Sequence, residues 1–207
     1  MTIAAFHKKS ADYSAPTQSD TKPSCFKQHG TGETIQYGLV PFKLGMALVA
    51  ASAVGICWVS LGKEQQSLEK HFHAQFKNAL RLPSGANFEK LLINVVSCLE
   101  APSLPNTISL DLRGTVFQQK VWAALRTIPP GTTKTYGEVA HMIGRPQSAR
   151  AVGTACASNR IAILIPCHRV VRADHGPMNY RWGADLKYDL IQLEASRIQA
   201  SKSSPGL

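Results

Sequence analysis

The sequence lacks the cysteine pattern of a disulfide framework or a zinc site. Its five cysteines, Cys25, Cys57, Cys98, Cys156 and Cys167, are odd in number, widely spaced and without a C-x-x-C pair. Reduced thiols are expected, with Cys57, Cys98 and Cys156 packing among apolar or small neighbours. Long apolar runs are missing too: the longest candidate, Met46 to Val59, is broken by Ser52 and Gly55 and falls short of the ~20 residues of a membrane span. The opening residues turn polar after Phe6, without the apolar centre of a secretion signal. A cytoplasmic protein with no membrane partner is expected. Histidines at metal-ligand spacing are also absent, so His7, His29, His71 and His73 read as solvated, and neither a metal nor an organic cofactor is expected. Acidic residues are few: 13 Asp and Glu against 23 Lys and Arg give a formal charge of +10, which favours a polyanionic partner.

With 207 residues, 44% of them apolar, the chain can bury one large core or two small ones. Residues 1–36 are polar and read as a flexible tail. Short β-prone runs follow, Ile35 to Val40, Met46 to Ala51 and Gly55 to Leu61, suggesting a small antiparallel sheet. Two helices are expected next, Ser67 to Leu80 and Phe88 to Leu99. A proline-rich link, Ala101 to Asn106, then leads to a strand Ile108 to Leu112. The fold class is α+β: an α/β N-terminal domain over 37–113, a mainly helical domain over 114–195, and a second flexible tail over 196–207.

Thr115-x-x-Gln118 is a capping box opening a helix with Phe117, Val121, Trp122, Leu125 and Ile128 on one face, ended by Pro129-Pro130-Gly131. A second box, Thr135-x-x-Glu138, starts a short helix bearing Val139, Met142 and Ile143 that stops at Gly144. Ser148 caps a third helix, built of small residues from Ala149 to Ser158 except for Arg150. The last two helices fit a helix-turn-helix; small side chains serve equally for close docking on a surface or for tight core packing. Trp58 and Trp122 read as core, and Trp182 as a buttress of the site.

The apolar run Ile161 to Ile165 reads as a buried strand or extended segment that delivers Pro166-Cys167-His168-Arg169-Val170. A thiol is a strong nucleophile only as thiolate, which needs a base or nearby positive charge. His168, Arg169 and Arg172 offer both. Cys and His adjacent on a regular strand would face apart, but Pro166 makes a turn plausible. A carboxylate on the last helix, Asp185 to Glu194, would orient the imidazole; spacing leaves Asp189 and Glu194 as equal candidates.

Five ordered segments resemble the methylated-DNA–protein-cysteine methyltransferases: Phe117-Gln118-Gln119-Lys120-Val121-Trp122, Thr135-Tyr136-Gly137-Glu138-Val139-Ala140, Arg150-Ala151-Val152-Gly153, Ile165-Pro166-Cys167-His168-Arg169-Val170-Val171 and Tyr180-Arg181-Trp182-Gly183. Weaker similarity runs upstream to Gly32, and the nearest branch is the C-terminal half of the bacterial Ada regulator. The resemblance implies a small ribonuclease-H-like N-terminal domain followed by a helix-turn-helix, winged-helix-like domain carrying the acceptor cysteine. It implies stoichiometric, irreversible transfer of a methyl group from O6-methylguanine, and less readily O4-methylthymine, in double-stranded DNA to Cys167 of a monomer. With Cys25 alone upstream, the four-cysteine zinc module of Ada is not expected.

By the same resemblance His168 acts as base through a water, Glu194 orients it, Asn159 braces the turn before the site, and Tyr136 rotates the target phosphate and protonates the leaving base. Arg150 enters the base stack, and Ala149, Ala151 and Thr154 join it on the DNA face. Val170, Met178, Tyr180 and Arg181 wall the guanine pocket. One segment departs from the family: Ala173-Asp174-His175-Gly176-Pro177-Met178-Asn179 puts His175 where glycine is frequent and adds bulk at Pro177 and Met178, from which poorer acceptance of large alkyl groups is expected. Two other readings are a non-catalytic DNA-binding regulator, which leaves the Cys167-His168 pair unexplained, and a thiol protease, which the ordered motifs disfavour.

Overall fold

A computed structural model of the chain describes residues 30–83, 85–100, 108–174 and 179–203. Strands β1 (Thr34–Phe42), β2 (Gly45–Ala51) and β3 (Ile56–Gly62) form an antiparallel meander. Helix α1 (Gln65–Gln75) leads to β4 (Leu80–Pro83), which pairs parallel to β1 and gives the sheet order β3-β2-β1-β4. Alternation sorts β2 between two cores. Leu48 and Ala50 join Phe72 and Phe76 beside α1, while Ala47, Val49 and Ala51 join Phe88, Leu92 and Val95 of α2 (Ala86–Glu100). The second cluster continues through Val121, Trp122, Val139 and Ile165, so one core spans both halves of the chain.

The C-terminal half consists of α3 (Val116–Arg126), β5 (Lys134–Thr135), α4 (Tyr136–Met142), α5 (Ala149–Ser158), β6 (Val170–Val171) and α6 (Ala184–Ser203). Both expected capping boxes form, Thr115 with Gln118 and Thr135 with Glu138. Between α4 and α5, Arg145 N–H donates to Ala140 O and Gly144 N–H to His141 O, both at 2.9 Å. This Schellman closure puts Gly144 at φ +69°, which glycine adopts without a Cβ penalty. Trp122 Nε1 donates to Ala155 O at 2.9 Å, fixing α5 on α3.

Several expectations need correction. The 1–36 boundary falls inside β1, whose Ile35 is fully buried. The helix expected to run from Ser67 to Leu80 ends at Gln75, and Leu80 instead opens a strand to Pro83, because pairing with β1 outweighs the weak local signal of Leu-Arg-Leu-Pro. The strand expected at Ile108 to Leu112 reduces to a single bridge, Ile56 to Leu110. Met142 is largely exposed, and Ser148 makes no side-chain cap. Helix α6 runs through 196–203, where a tail was expected, and Ile198 packs beside Gly131. His73 is half-buried against Tyr37 and Phe72, whereas His71 is exposed as expected. Trp58 and Trp122 are core, and Cys57 and Cys156 are buried. The expected tail up to residue 29, the link at 101–106, the segment 175–178 and the tail at 204–207 lie outside the described residues. Among the described residues no helix is long and apolar enough to cross a membrane, and no group of three His, Cys, Asp or Glu could hold a metal.

Candidate active site

The edge strand β3 positions the segment that leads into the site. Val59 N–H donates to Arg160 O at 2.8 Å, and Ala162 N–H donates to Val59 O at 3.0 Å. Beyond that bridge the apolar run is not a strand. Leu164 N–H turns back to Ala162 O at 2.7 Å around Ile163, whose φ of +66° is a strained conformation for a β-branched residue. Such strain persists only where the surroundings over-determine it. Here the determinant is Asn159, fully buried: its Oδ1 accepts from Ile161 N–H at 2.9 Å, and its Nδ2 donates to Ile165 O at 2.9 Å and to Cys167 Sγ at 3.0 Å. A second tight turn, Cys167 N–H to Ile165 O at 2.8 Å around Pro166 (φ −81°, ψ 61°), is an inverse γ-turn.

A 3-10 turn, Cys167–Arg169, follows, so adjacent Cys and His need not face apart as they would on a strand. His168 is fully buried, and its Nε2 lies 2.9 Å from Glu194 Oε1. With the carboxylate as acceptor, Nε2 carries the proton and Nδ1 the lone pair; among the described residues Nδ1 has no hydrogen-bond partner. Burial pulls the imidazole pKa below 6.5 despite Glu194, with Arg169 and Lys187 pulling the same way, so the ring is neutral near pH 7. Burial alone would raise the Glu194 pKa, but His168 and Arg169 outweigh it and hold the carboxyl at about 2. Arg169 donates to Glu194 from Nε and Nη2 and from Nη1 to Ile128 O, and Gly131 N–H adds a fourth side to the carboxylate at 2.9 Å.

Cys167 opens into a cavity of about 360 Å³ lined also by Tyr136, Gly153, Cys156, Tyr180 and Arg181. Burial pushes its thiol up to about 11, against the opposing pull of the Asn159 amide, the Lys187 ammonium and Arg181. The cavity shares Tyr136, Gly153, Ala157 and Asn179 with a wider groove edged by Ala149, Arg150, Thr154 and Arg172. Thus a buried thiol sits beneath the exposed face of α5, the second of two short helices joined through the turn at Gly144. β5 and β6 pair in parallel, Thr135 to Val171, and so hold Tyr136 at the first position of α4 against the cavity. Burial, with Cys156 and Cys167 nearby, raises the Tyr136 pKa, keeping its hydroxyl a donor.

Residues 116–196 match the family described as 6-O-methylguanine DNA methyltransferase, DNA binding domain. The chain is 43% identical over 170 residues to the bifunctional transcriptional activator/DNA repair enzyme Ada of Escherichia coli, covering 82% of this chain and 48% of Ada; it spans about half that relative's length. To the methylated-DNA–protein-cysteine methyltransferase of Mycobacterium leprae it is 42% identical over 120 residues, covering 58% of this chain and 73% of that one. The chain belongs to the methylated-DNA–protein-cysteine methyltransferase family. A solved methyltransferase-family structure, Mycobacterium tuberculosis OGT in complex with DNA, superposes with TM-score 0.64 at 34% identity, covering 78% of this chain and 94% of that one.

In this member of the methyltransferase family Asn159 meets Cys167 and His168 meets Glu194, while Asp189, the other carboxylate considered for the imidazole, is exposed. Arg150 and Thr154 are exposed on α5 along the groove, with Ala149 beside them; Ala151 is exposed on α5 outside that lining. Tyr180 and Arg181 line the cavity. Val170 does not: it is fully buried and its carbonyl accepts from Lys187 Nζ at 2.6 Å. Met178 lies outside the described residues, as do His175 and Pro177. Arg169 and Arg172 were expected to supply positive charge to the thiol. Instead Arg169 is spent on Glu194, and Arg172 pairs with Asp174 in solvent. Sequence reasoning missed Lys187, buried to 1% exposure, although its i, i+3, i+7 spacing with Leu190 and Glu194 places all three on one inward face of α6.

Proposed function

We propose that this protein repairs O6-methylguanine in double-stranded DNA by moving the methyl group irreversibly to Cys167. The observation that carries the reading is a thiol held by Asn159, next to a buried, neutral His168 bonded to the Glu194 carboxylate, at the foot of a cavity that opens under Arg150. The relatives, a methylated-DNA–protein-cysteine methyltransferase and an OGT structure solved with DNA, support the partner and the reaction. On this reading the N-terminal half is the family's ribonuclease-H-like domain, supported by the β3-β2-β1-β4 order with β4 parallel to β1. The C-terminal half is its winged-helix-like domain. The protein acts as a monomer in a reducing cytoplasm, with no cofactor or metal.

A methyl group on a stacked base cannot reach a buried sulfur, so the nucleotide rotates out of the helix, at a cost of about a few kcal/mol of stacking. Arg150, exposed on α5, enters the gap, and the small residues Ala149, Ala151 and Thr154 let the helix lie close to the minor groove. The Cys167 proton passes through an intervening water to His168 Nδ1, and Asn159 Nδ2 donates to the resulting thiolate. The sulfur lone pair forms the S–CH3 bond as the C–O6 bond breaks, and its electrons pass into the guanine. Tyr136 gives the departing base a proton and is re-protonated from the imidazolium. The net change is thiol plus methyl ether to thioether plus guanine. No side chain here could hydrolyse the thioether, so each molecule acts once.

A duplex with one O6-methylguanine in a methylation-sensitive restriction site tests this. Cleavage should be restored in proportion to protein added, one duplex per molecule, and Cys167→Ser should restore none. Repair exceeding one duplex per molecule, or repair by Cys167→Ser, would refute it.

A further inference from the structure

Arg172 and Asp174 form an ion pair in the lining of the groove that leads to Cys167. That groove is edged by α5, through Ala149, Arg150 and Thr154, and by the segment after β6, residues 172–174; Tyr136 lines both the groove and the Cys167 cavity. Strand register puts Arg172 there. β5 and β6 pair through Thr135 and Val171, so the next residue of each, Tyr136 and Arg172, leaves the ladder side by side. Cations therefore stand on both edges of the groove, Arg150 on α5 and Arg172 beside Tyr136.

The two side chains are 50% and 59% exposed, and a pair so exposed adds little to stability. Its geometry has a different use. Arg172 donates from Nε to Asp174 Oδ1 at 2.9 Å and from Nη2 to Oδ2 at 2.6 Å. This side-on grip fixes the guanidinium plane and leaves its Nη1–Nη2 end, two parallel N–H donors, directed away from the carboxylate. Parallel donors of that kind match two oxygens of a phosphate. A carboxylate by itself repels a polyanion from the groove, so Asp174 fits there as the group that aims the arginine. We propose that Arg172 is a positioning residue for DNA: its guanidinium, aimed by Asp174, grips a backbone phosphate next to the extruded nucleotide, across the groove from Arg150. The proposal rests on the reading of DNA as the partner. Arg150 fills the base stack, while Arg172 holds the strand from which the nucleotide has turned; a phosphate contact sets position without reading sequence.

The test uses the full-length protein with Cys167→Ser, so that its complex with an O6-methylguanine duplex persists, and measures affinity by fluorescence anisotropy across a series of potassium chloride concentrations. Both side chains are exposed, so Arg172→Gln, Arg172→Lys and Asp174→Asn leave the core intact. Losing one phosphate contact should make the slope of log affinity against log salt shallower by about 0.9 in Arg172→Gln. Arg172→Lys keeps the charge and should keep the slope. With Cys167 restored and protein saturating, Arg172→Lys should transfer the methyl group several-fold more slowly, because a point charge does not replace the fork. Asp174→Asn should bind more tightly yet transfer no faster, since repulsion and aim are lost together. An unchanged slope in Arg172→Gln, or faster transfer at saturation in Asp174→Asn, would overturn the proposal while leaving DNA as the partner. A Cys167→Ser protein that does not bind the duplex at any salt concentration would overturn the reading of DNA as the partner, and the proposal with it.

Discussion

His168 Nε2 meets Glu194 Oε1 at 2.9 Å inside the core, leaving Nδ1 as the ring's basic atom. One carboxylate therefore does two jobs, fixing the imidazole tautomer and neutralising Arg169. Replacing it should be costly for both reasons. Glu194→Gln leaves a buried guanidinium without its counter-charge and should lose about 3 kcal/mol or more in denaturant unfolding at neutral pH. A loss below about 1 kcal/mol would show that the network is not under tension.

The same pair sets the acid sensitivity. Glu194 has a folded pKa of about 2 against an ordinary 4.5, so its stabilising contribution is complete above the unfolded value and disappears as pH falls toward about 2. His168 has a folded pKa below 6.5, so protons bind the unfolded chain first and stability declines as pH drops below about 6.5. Unfolding free energy should be flat just above neutrality and fall in both windows on acidification. His168→Asn should flatten the upper window alone; an unchanged upper window would remove His168 from the account.

Asn159 holds the strained turn and touches the sulfur. Asn159→Ala leaves Ile161 N–H unsatisfied in the core and strips Ile165 O of one of its two donors, which should cost about 1–3 kcal/mol, and removes the donor to Cys167. Alkylation of Cys167 near neutral pH should slow together with the loss of stability. If stability falls and thiol reactivity does not, Asn159 is a brace only.

Arg150 should separate binding and flipping from chemistry. Arg150→Ala should slow methyl transfer from duplex DNA by roughly 10–100-fold, since a few kcal/mol of lost stacking is no longer offset. Iodoacetamide should still reach Cys167 at the wild-type rate. Equal slowing of both would place Arg150 in the thiol's environment rather than on the DNA face.

Much of this was legible in the sequence where local rules agree. The two capping boxes and the Gly144 stop fixed α3 and α4, the ordered motifs held Cys167 and His168, and only the family resemblance pointed to Glu194 and Asn159. What was not legible depends on distant partners. Leu80 to Pro83 becomes a strand only because β1 offers an edge. Ile161 to Ile165 has the composition of a strand, yet the Asn159 side chain folds it into a tight turn at Ile163. Arg169 and Arg172 looked equivalent as neighbours of the thiol. Burial beside Glu194 claims one and solvent the other, and the cations that pull against the thiol's burial are Lys187 and Arg181, further along the chain.

The most direct test of the central claim is mass spectrometry of the protein after incubation with a duplex containing O6-methylguanine. A gain of one methylene mass, confined to the Cys167 peptide and saturating at one per molecule, is the predicted result. An unmodified Cys167 peptide alongside a duplex that has lost its methyl group, or tight binding to the duplex with no transfer, would contradict it.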